Sequence, residues 1–240
     1  QFPFAALDYC WESAPCRVRL AAFSPFVPHD SASSGTPAAV FEFSVTNETR
    51  EPLAASIAFC LPNMAGYNTP SPRHTAKRVS GRSWRGVGLS AEGLPADTPS
   101  NGEVIAGVLG RGALAASGGP KELLAAFARS GSATDTGGAD AALVWRQLAL
   151  KPGETGRVTF VLAWHFPCFI DAEKIDLGRM YANRFGSASE VASYVTANLP
   201  DLRKKTAAFR DVFYRSTLPH WLMDAINAQF TTLFKSSWWT

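Results

Sequence analysis

The chain has 240 residues, 46% of them hydrophobic and 18% charged, which excludes a disordered chain and allows a sizeable core. Its formal net charge of +3 comes from scattered basic residues. The one concentrated group, Arg203, Lys204 and Lys205, reads as a solvated helix face, and no basic patch with interleaved aromatics marks a nucleic-acid partner.

Gln1-Phe2-Pro3-Phe4, with no initiating Met, reads as the interior of a longer protein and not as a signal peptide. Val18 to Phe23 predicts a strand running into Pro25 and Pro28. Between Ala39 and Thr46, one face presents Ala39, Phe41, Phe43 and Val45, and the other Val40, Glu42, Ser44 and Thr46. That alternation is the mark of a half-buried strand. Asn47 to Pro52 supplies a turn and Ser56 to Leu61 a returning strand, so a hairpin is expected. Asn63 to Ser83 is polar and carries Gly66, Pro70, Pro72 and Gly81, the composition of a long surface loop.

Strand character resumes at Trp84 to Leu89 and at Glu103 to Leu109. Pro120 opens a short helix that ends before Gly131. Ala142 to Leu150 and Arg157 to His165 read as a strand pair joined at Lys151-Pro152-Gly153-Glu154, where Pro presets φ and Gly accepts a positive one.

The periodicity then changes. Ser187 to Asn198 places Val191, Tyr194 and Val195 on one helical face. Pro200 is expected to open a second helix carrying Leu202, Thr206, Phe209 and Phe213. A third starts at Pro219, with Leu222, Ala225, Ile226, Gln229, Phe230 and Leu233 as its stripe and Trp238 and Trp239 after it. Strands followed by helices suggest separate layers or domains, not a parallel α/β fold. The last helix either lies back on the strands or has its packing partners elsewhere, and the second reading is preferred.

No chemistry-bearing constellation stands out. The acidic residues, Glu48, Glu51, Glu154 and Asp171 among them, fall in turns or on presumed solvent faces. His29, His74, His165 and His220 are not spaced as metal ligands. No Gly-x-Ser-x-Gly elbow occurs, and the glycines at 86–88 and 107–112 lack the Lys-Ser/Thr of a phosphate loop. Cys10, Cys16, Cys60 and Cys168 fit no zinc or redox spacing and read as free thiols in a reducing compartment. A Cys10–Cys16 disulfide stays open if the protein is exported. Asn47-Glu48-Thr49 is a lone glycosylation sequon, meaningful only in a secretory pathway. Trp164-His165 at a strand end could line a sugar site, because an indole face stacks on pyranose C–H groups, although aromatic rings are more often core.

Four blocks carry a family resemblance. Phe23-Ser24-Pro25-Phe26-Val27-Pro28-His29-Asp30, followed by Pro37-Ala38-Ala39-Val40-Phe41-Glu42-Phe43-Ser44-Val45-Thr46-Asn47, resembles the N-terminal domain of glycoside hydrolase family 116. This family includes bacterial β-glucosidases and the non-lysosomal glucosylceramidase (bile acid β-glucosidase). Val158-Thr159-Phe160-Val161-Leu162-Ala163-Trp164-His165-Phe166-Pro167 is similar to a strand of that domain. Tyr181-Ala182-Asn183-Arg184-Phe185-Gly186 and the helices through Ser216-Thr217-Leu218-Pro219 are similar to its run toward the catalytic domain. The blocks occur in family order from about Phe2 to Thr240. Ser34-Gly35-Thr36-Pro37 departs from the family's Ser-Ser-Leu-Pro, and the family's opening glycine-rich segment is absent.

The resemblance implies a mainly β fold, a two-sheet antiparallel β-sandwich followed by a C-terminal helical segment leading toward an absent (α/α) toroid. Residues 1–180 would be the sandwich, 181–217 a helical linker and 218–240 the first helix of a truncated catalytic domain. The implied parent is a retaining β-glycosidase whose Glu nucleophile and Asp acid/base lie on the toroid, so no catalytic residue carries over to this chain. The implied partners are that toroid in the same protein and, through it, a β-glucoside or glycolipid. No cofactor, metal, nucleic acid or transmembrane segment is expected, and the expected compartment is the cytoplasm or a membrane periphery, with export left open. His29, Asp30, Trp164, His165 and Arg184 are the candidates for a substrate rim, each weighed against packing or strand-end capping. The alternatives are a free-standing carbohydrate-binding or interaction module, and a complete hydrolase, for which no carboxylate pair is visible.

Overall fold

A computed structural model of the chain describes residues 2–11 and 14–236. In chain order the first elements are β1 (Phe4–Tyr9), β2 (Cys16–Phe23), α1 (Ser31–Ser34), β3 (Ala38–Asn47), β4 (Leu53–Pro62), β5 (Arg73–Ser80) and β6 (Trp84–Glu92). They are followed by β7 (Glu103–Leu109), β8 (Leu114–Gly118), α2 (Pro120–Ser130), β9 (Ala141–Leu150) and β10 (Thr155–His165). A 3-10 turn at Met180–Asn183 leads to α3 (Ala188–Tyr214) and α4 (His220–Ser236). The fold is mainly β: a seven-stranded sheet, ordered β1-β2-β3-β10-β7-β6-β5, faces a three-stranded sheet, β4-β9-β8, and every pairing is antiparallel.

The large sheet is buried on both sides along its central strands. Toward the small sheet it presents Val87, Leu89, Val104, Ala106, Val108, Val158 and Phe160, which pack on Leu61, Ala142 and Val144. Toward α3 it presents Val40, Trp84, Ile105, Val161 and Ala163, which pack on Val191, Ala192, Val195 and Leu202. The opposite face of the small sheet is covered by α2 through Leu123 and Phe127, against Leu143 and Trp145. Burying each of these larger apolar side chains is worth about 1.5–3 kcal/mol, so the layers hold one another in place.

Both expected hairpins are corrected. β3 and β4 belong to different sheets, and so do β9 and β10: β4 pairs with β9, and β3 with β10. The turn chemistry itself holds, with Glu154 N donating to Lys151 O at 3.0 Å and Gly153 at φ 73°. The chain uses that turn to cross between layers. Alternation identifies a strand's two faces but not its neighbour. Asn47 locks the two crossovers together. Its buried Nδ2 donates to Glu51 O (2.8 Å), Leu150 O (3.2 Å) and Lys151 O (3.2 Å), and its backbone exchanges hydrogen bonds with Gly153 and Glu154.

The polar stretch expected as one long loop contains β5. Its Arg73, Lys77 and Arg78 suit an edge strand, where charge discourages pairing with another chain. Pro200 does not open a helix, because α3 runs unbroken through it. Val191 and Leu202 are 11 residues apart, about three turns at 3.6 residues each, so the stripes on either side of Pro200 are collinear and meet one sheet. Packing of that stripe offsets an interior-proline cost of about 3 kcal/mol.

Gly86 and Gly107 oppose each other on the α3 side of the sheet. A Cβ on Gly86 would lie 2.1 Å from Ala106 O, and one on Gly107 would lie 2.8 Å from Val161 Cγ1 and 3.2 Å from the Trp84 ring. The bare backbone leaves room for the Trp84 indole, whose Nε1 donates to Ser193 Oγ of α3 at 3.3 Å.

The last helix packs on the molecule along part of its surface. Phe230 packs with Phe209, Phe213 and Phe2, and Asn227 Nδ2 donates to Phe2 O (3.2 Å) and Tyr214 Oη (2.8 Å). Among its described side chains Met223 and Asn227 are buried, whereas Ala225, Ile226 and Gln229 of the expected stripe are exposed. Trp238 and Trp239 fall outside the described residues, as does the Leu233 side chain.

If α3 is a layer of this core, Leu202→Ala should lower the stability of the whole chain by about 2–5 kcal/mol. The loss should appear in the same denaturant transition that Phe160→Ala shifts. An unchanged transition midpoint for Leu202→Ala would mean that the helix is only appended.

Candidate functional site

The last residues of β10 alternate between the two faces of the large sheet. Trp164 points with Leu162 and Phe160 toward the small-sheet side, and His165 sits beyond Ala163 on the α3 side. His165 Nε2 lies 2.8 Å from Phe185 O, and its ring meets Tyr181 edge-on at 5.9 Å. Its cross-strand partner is Glu103. Burial pushes the Glu103 carboxyl above the ordinary carboxylate range, against the opposing pull of the Ala188 N–H at the start of α3 and of His165 and Lys77. Ser187 caps the same helix end by accepting from Glu190 N, while Glu190 Oε2 accepts from Gly186 N at 2.8 Å.

His29, Asp30 and Arg184 gather around α1. His29 (φ 64°) occupies the third position of a turn closed by Asp30 N donating to Val27 O at 3.0 Å. Asp30 caps α1, accepting from Ser33 N (2.9 Å) and Ser33 Oγ (2.7 Å). The Ser33 hydroxyl bond is the main reason its carboxyl titrates below the ordinary range, helped by Lys205 and Arg184. Arg184 donates to Ala32 O and stacks over Phe185 (4.8 Å) and Tyr194 (5.5 Å). These contacts fasten the α1 loop to the start of α3.

Trp164 instead lines a cleft of about 360 Å³ at the end of the sandwich, with Met64, Tyr67, Phe166, Arg179 and Tyr181. The Tyr181 hydroxyl is committed to the backbone, accepting from Phe166 N (3.0 Å) and donating to Phe166 O (2.7 Å), so only its ring serves the cleft. Tyr67 stands 72% exposed at the mouth. The Arg179 guanidinium stacks on Phe169 at 5.0 Å, and its buried Nε has no hydrogen-bond partner. No carboxylate lines the cleft, so the pair needed for glycoside hydrolysis is not there. Sequence reading passed over Tyr67 in its polar loop and Arg179 just before the Tyr181 block. The one usable signal was the aromatic strand end at Trp164.

Two other pockets offer less. One of about 690 Å³, between the end of α2 and strands β4 and β9, has no ionisable side chain. Another of about 510 Å³ holds Arg78 and Arg85, and Arg78 is already paired with Asp135 at 2.9 Å. Among the described residues no group of His, Cys, Asp and Glu could hold a metal ion, no helix is long and apolar enough to cross a membrane, and the four cysteines are free thiols.

A family model described as beta-glucosidase 2, glycosyl-hydrolase family 116 N-term, matches residues 1–202. No curated protein matches the chain. Among solved structures, a protein assigned as a kojibiose phosphorylase from human microbiome is 10% identical with a TM-score of 0.48. The match covers 88% of this chain but only 23% of that one. A protein assigned as an aldose 1-epimerase from Escherichia coli K12 is 11% identical over 68% of this chain and 65% of its own, with a TM-score of 0.28.

The Glu103 and Asp30 carboxyls should act oppositely on stability. Glu103 is raised, so the folded state holds its proton more tightly, and that contribution is lost as pH rises through the folded value. Glu103→Gln should therefore match the parent chain in acid and exceed it at neutral pH. Asp30 is lowered, so Asp30→Asn should lose stability at neutral pH and recover it in acid. Urea melts from about pH 3 to about pH 7 would show the crossing trends, and parallel curves for both variants would contradict them.

Proposed function

The chain belongs to glycosyl-hydrolase family 116 as its N-terminal domain, and from that premise we propose that it is the accessory sandwich of a retaining β-glucosidase or glucosylceramidase-like enzyme, inactive alone. The observation that carries this reading is the apolar corner where α3 turns into α4. Trp221 is 72% exposed and Val212 67%, and Leu218 and Ile226 are exposed beside them in sequence. All four lie beyond the residues matched by the family model. Large apolar side chains left exposed along one stretch of chain suit a surface that another body covers. The partner is a catalytic (α/α) toroid in the same polypeptide, with α4 as the start of its first helix and α3, a layer of the sandwich itself, leading to it.

The chain's own carboxylates support a bracing role. Asp30 caps a helix, Asp135 is held by Ser117 and Arg78, and Asp176 accepts backbone N–H groups from Phe169 and Gly178. Hydrolysis with retention needs two carboxyls about 5–5.5 Å apart across the scissile bond. The toroid supplies both, and the substrate is a β-glucoside or glycolipid reached through that domain. The compartment is the cytoplasm or a membrane periphery. The aromatic cleft at Trp164 favours one alternative, a free-standing carbohydrate-binding module.

The test is to assay the 240-residue chain and the full open reading frame on aryl β-glucosides. The chain alone should be inert and the longer product active. Trp221→Ser should leave the chain's stability within about 0.5 kcal/mol, yet lower the melting temperature of the longer protein. Hydrolysis by the 240 residues alone would overturn the accessory reading.

A further inference from the structure

We propose that the cleft at the end of β10 is a sugar-binding site that seats one pyranose ring of a neutral β-glucoside. Its volume of about 360 Å³ falls at the lower end of the ~300–1,000 Å³ range of small-molecule pockets. Its walls carry two kinds of group suited to a sugar. Trp164, Tyr67 and Tyr181 provide flat apolar surface for the C–H face of a pyranose, and Tyr181 is fixed in place by its hydroxyl bonds to Phe166. Arg179 provides the polar edge. Its guanidinium carbon sits 5.0 Å from the centre of the Phe169 ring, and its planar fork of N–H donors suits two neighbouring hydroxyl oxygens.

What singles this cleft out is a guanidinium set among aromatic faces, with no acidic side chain in its lining. A ligand bringing oxygen acceptors can pair with the terminal N–H groups of Arg179, whereas a purely apolar ligand would strip them of water without replacing it. The absence of any carboxylate makes the site one that holds a sugar without cleaving it. Tyr67 stands at the open mouth, so the ring can enter without displacing the core.

The choice of a β-glucoside as the sugar rests on the family reading, whereas the stacking and fork chemistry does not. The experiment follows the indole and backbone N–H signals of the 240-residue chain during titration with methyl β-D-glucopyranoside and cellobiose, with benzoate as the competing aromatic anion. The expected result is saturable shifts at Trp164 and around Arg179. Arg179→Ala should weaken binding about tenfold or more, as for loss of hydrogen bonds to a charged group. Trp164→Ala should do the same, and Tyr67→Ala, at an exposed position that the core does not need, should weaken it severalfold. Trp221→Ala should bind as the parent chain does.

Saturation by benzoate but not by either glucoside would overturn the proposal, as would equal affinity in the Tyr67 and Arg179 variants. The same titration on the full reading frame closes the question. Loss of binding there would show that another part of the polypeptide occupies the cleft. Hydrolytic activity of the full protein is read separately, so this site can fail while the family reading stands.

Discussion

The large sheet has to be covered on both faces, and most of the architecture follows from that constraint. A strand such as β7, with Val104, Ile105, Ala106 and Val108 all fully buried, cannot face water on either side. The small sheet covers one side and α3 the other. Because α3 is a covering layer, it must reach across several strands, and a 27-residue helix running through Pro200 does so. The same demand explains the glycines opposite α3. Where an indole must lie on the sheet beneath that helix, a side chain at Gly107 would press on the Trp84 ring, and one at Gly86 would collide with the β7 backbone beside it.

Coverage of the central strands leaves little free surface there. Chemistry is therefore confined to the ends of the strands, where the layers stop and loops begin. At the end of β10 a single step along the chain separates two environments. His165 is drawn into the joint that fixes α3, and Trp164 opens onto the cleft. Tyr181 touches both, with its ring against His165 and its hydroxyl on the Phe166 backbone. The five residues expected to form one rim are thus divided. Asp30, His29 and Arg184 organise the α1 loop, His165 the helix start, and Trp164 alone faces the cleft.

Much of the local structure was legible in the residues. The limits of β7 and α2, and the Lys151–Glu154 turn, follow from patterning, from Pro at a helix start and from Gly where φ is positive. Pairing was not legible, because the alternation in β3 and β10 is satisfied equally by a hairpin and by a crossing between sheets. β5 was hidden by its own suitability as an edge strand, since Arg73, Lys77 and Arg78 resemble loop composition. Continuity of α3 was hidden by the strong local signal of Pro200, which tertiary packing overrides. The cleft could not be read at all beyond Trp164, because Tyr67 and Arg179 come from distant loops that only folding brings together.

The Asn47 corner bears on where this protein can fold. Asn47 heads an Asn-Glu-Thr sequon, yet its Nδ2 is fully buried and divided among three carbonyls that join the two sheet crossings. Thr49, the residue that completes the sequon, is also enlisted, its N–H and hydroxyl both donating to Asn47 Oδ1. A glycan attached to Nδ2 would take one of its hydrogens and place a bulky polar group where the layers meet. Folding first would hide the acceptor from a glycosylating enzyme; glycosylation first would keep the corner from closing. In a secretory pathway, oligosaccharide transfer at Asn47 and assembly of the sandwich would be competing events.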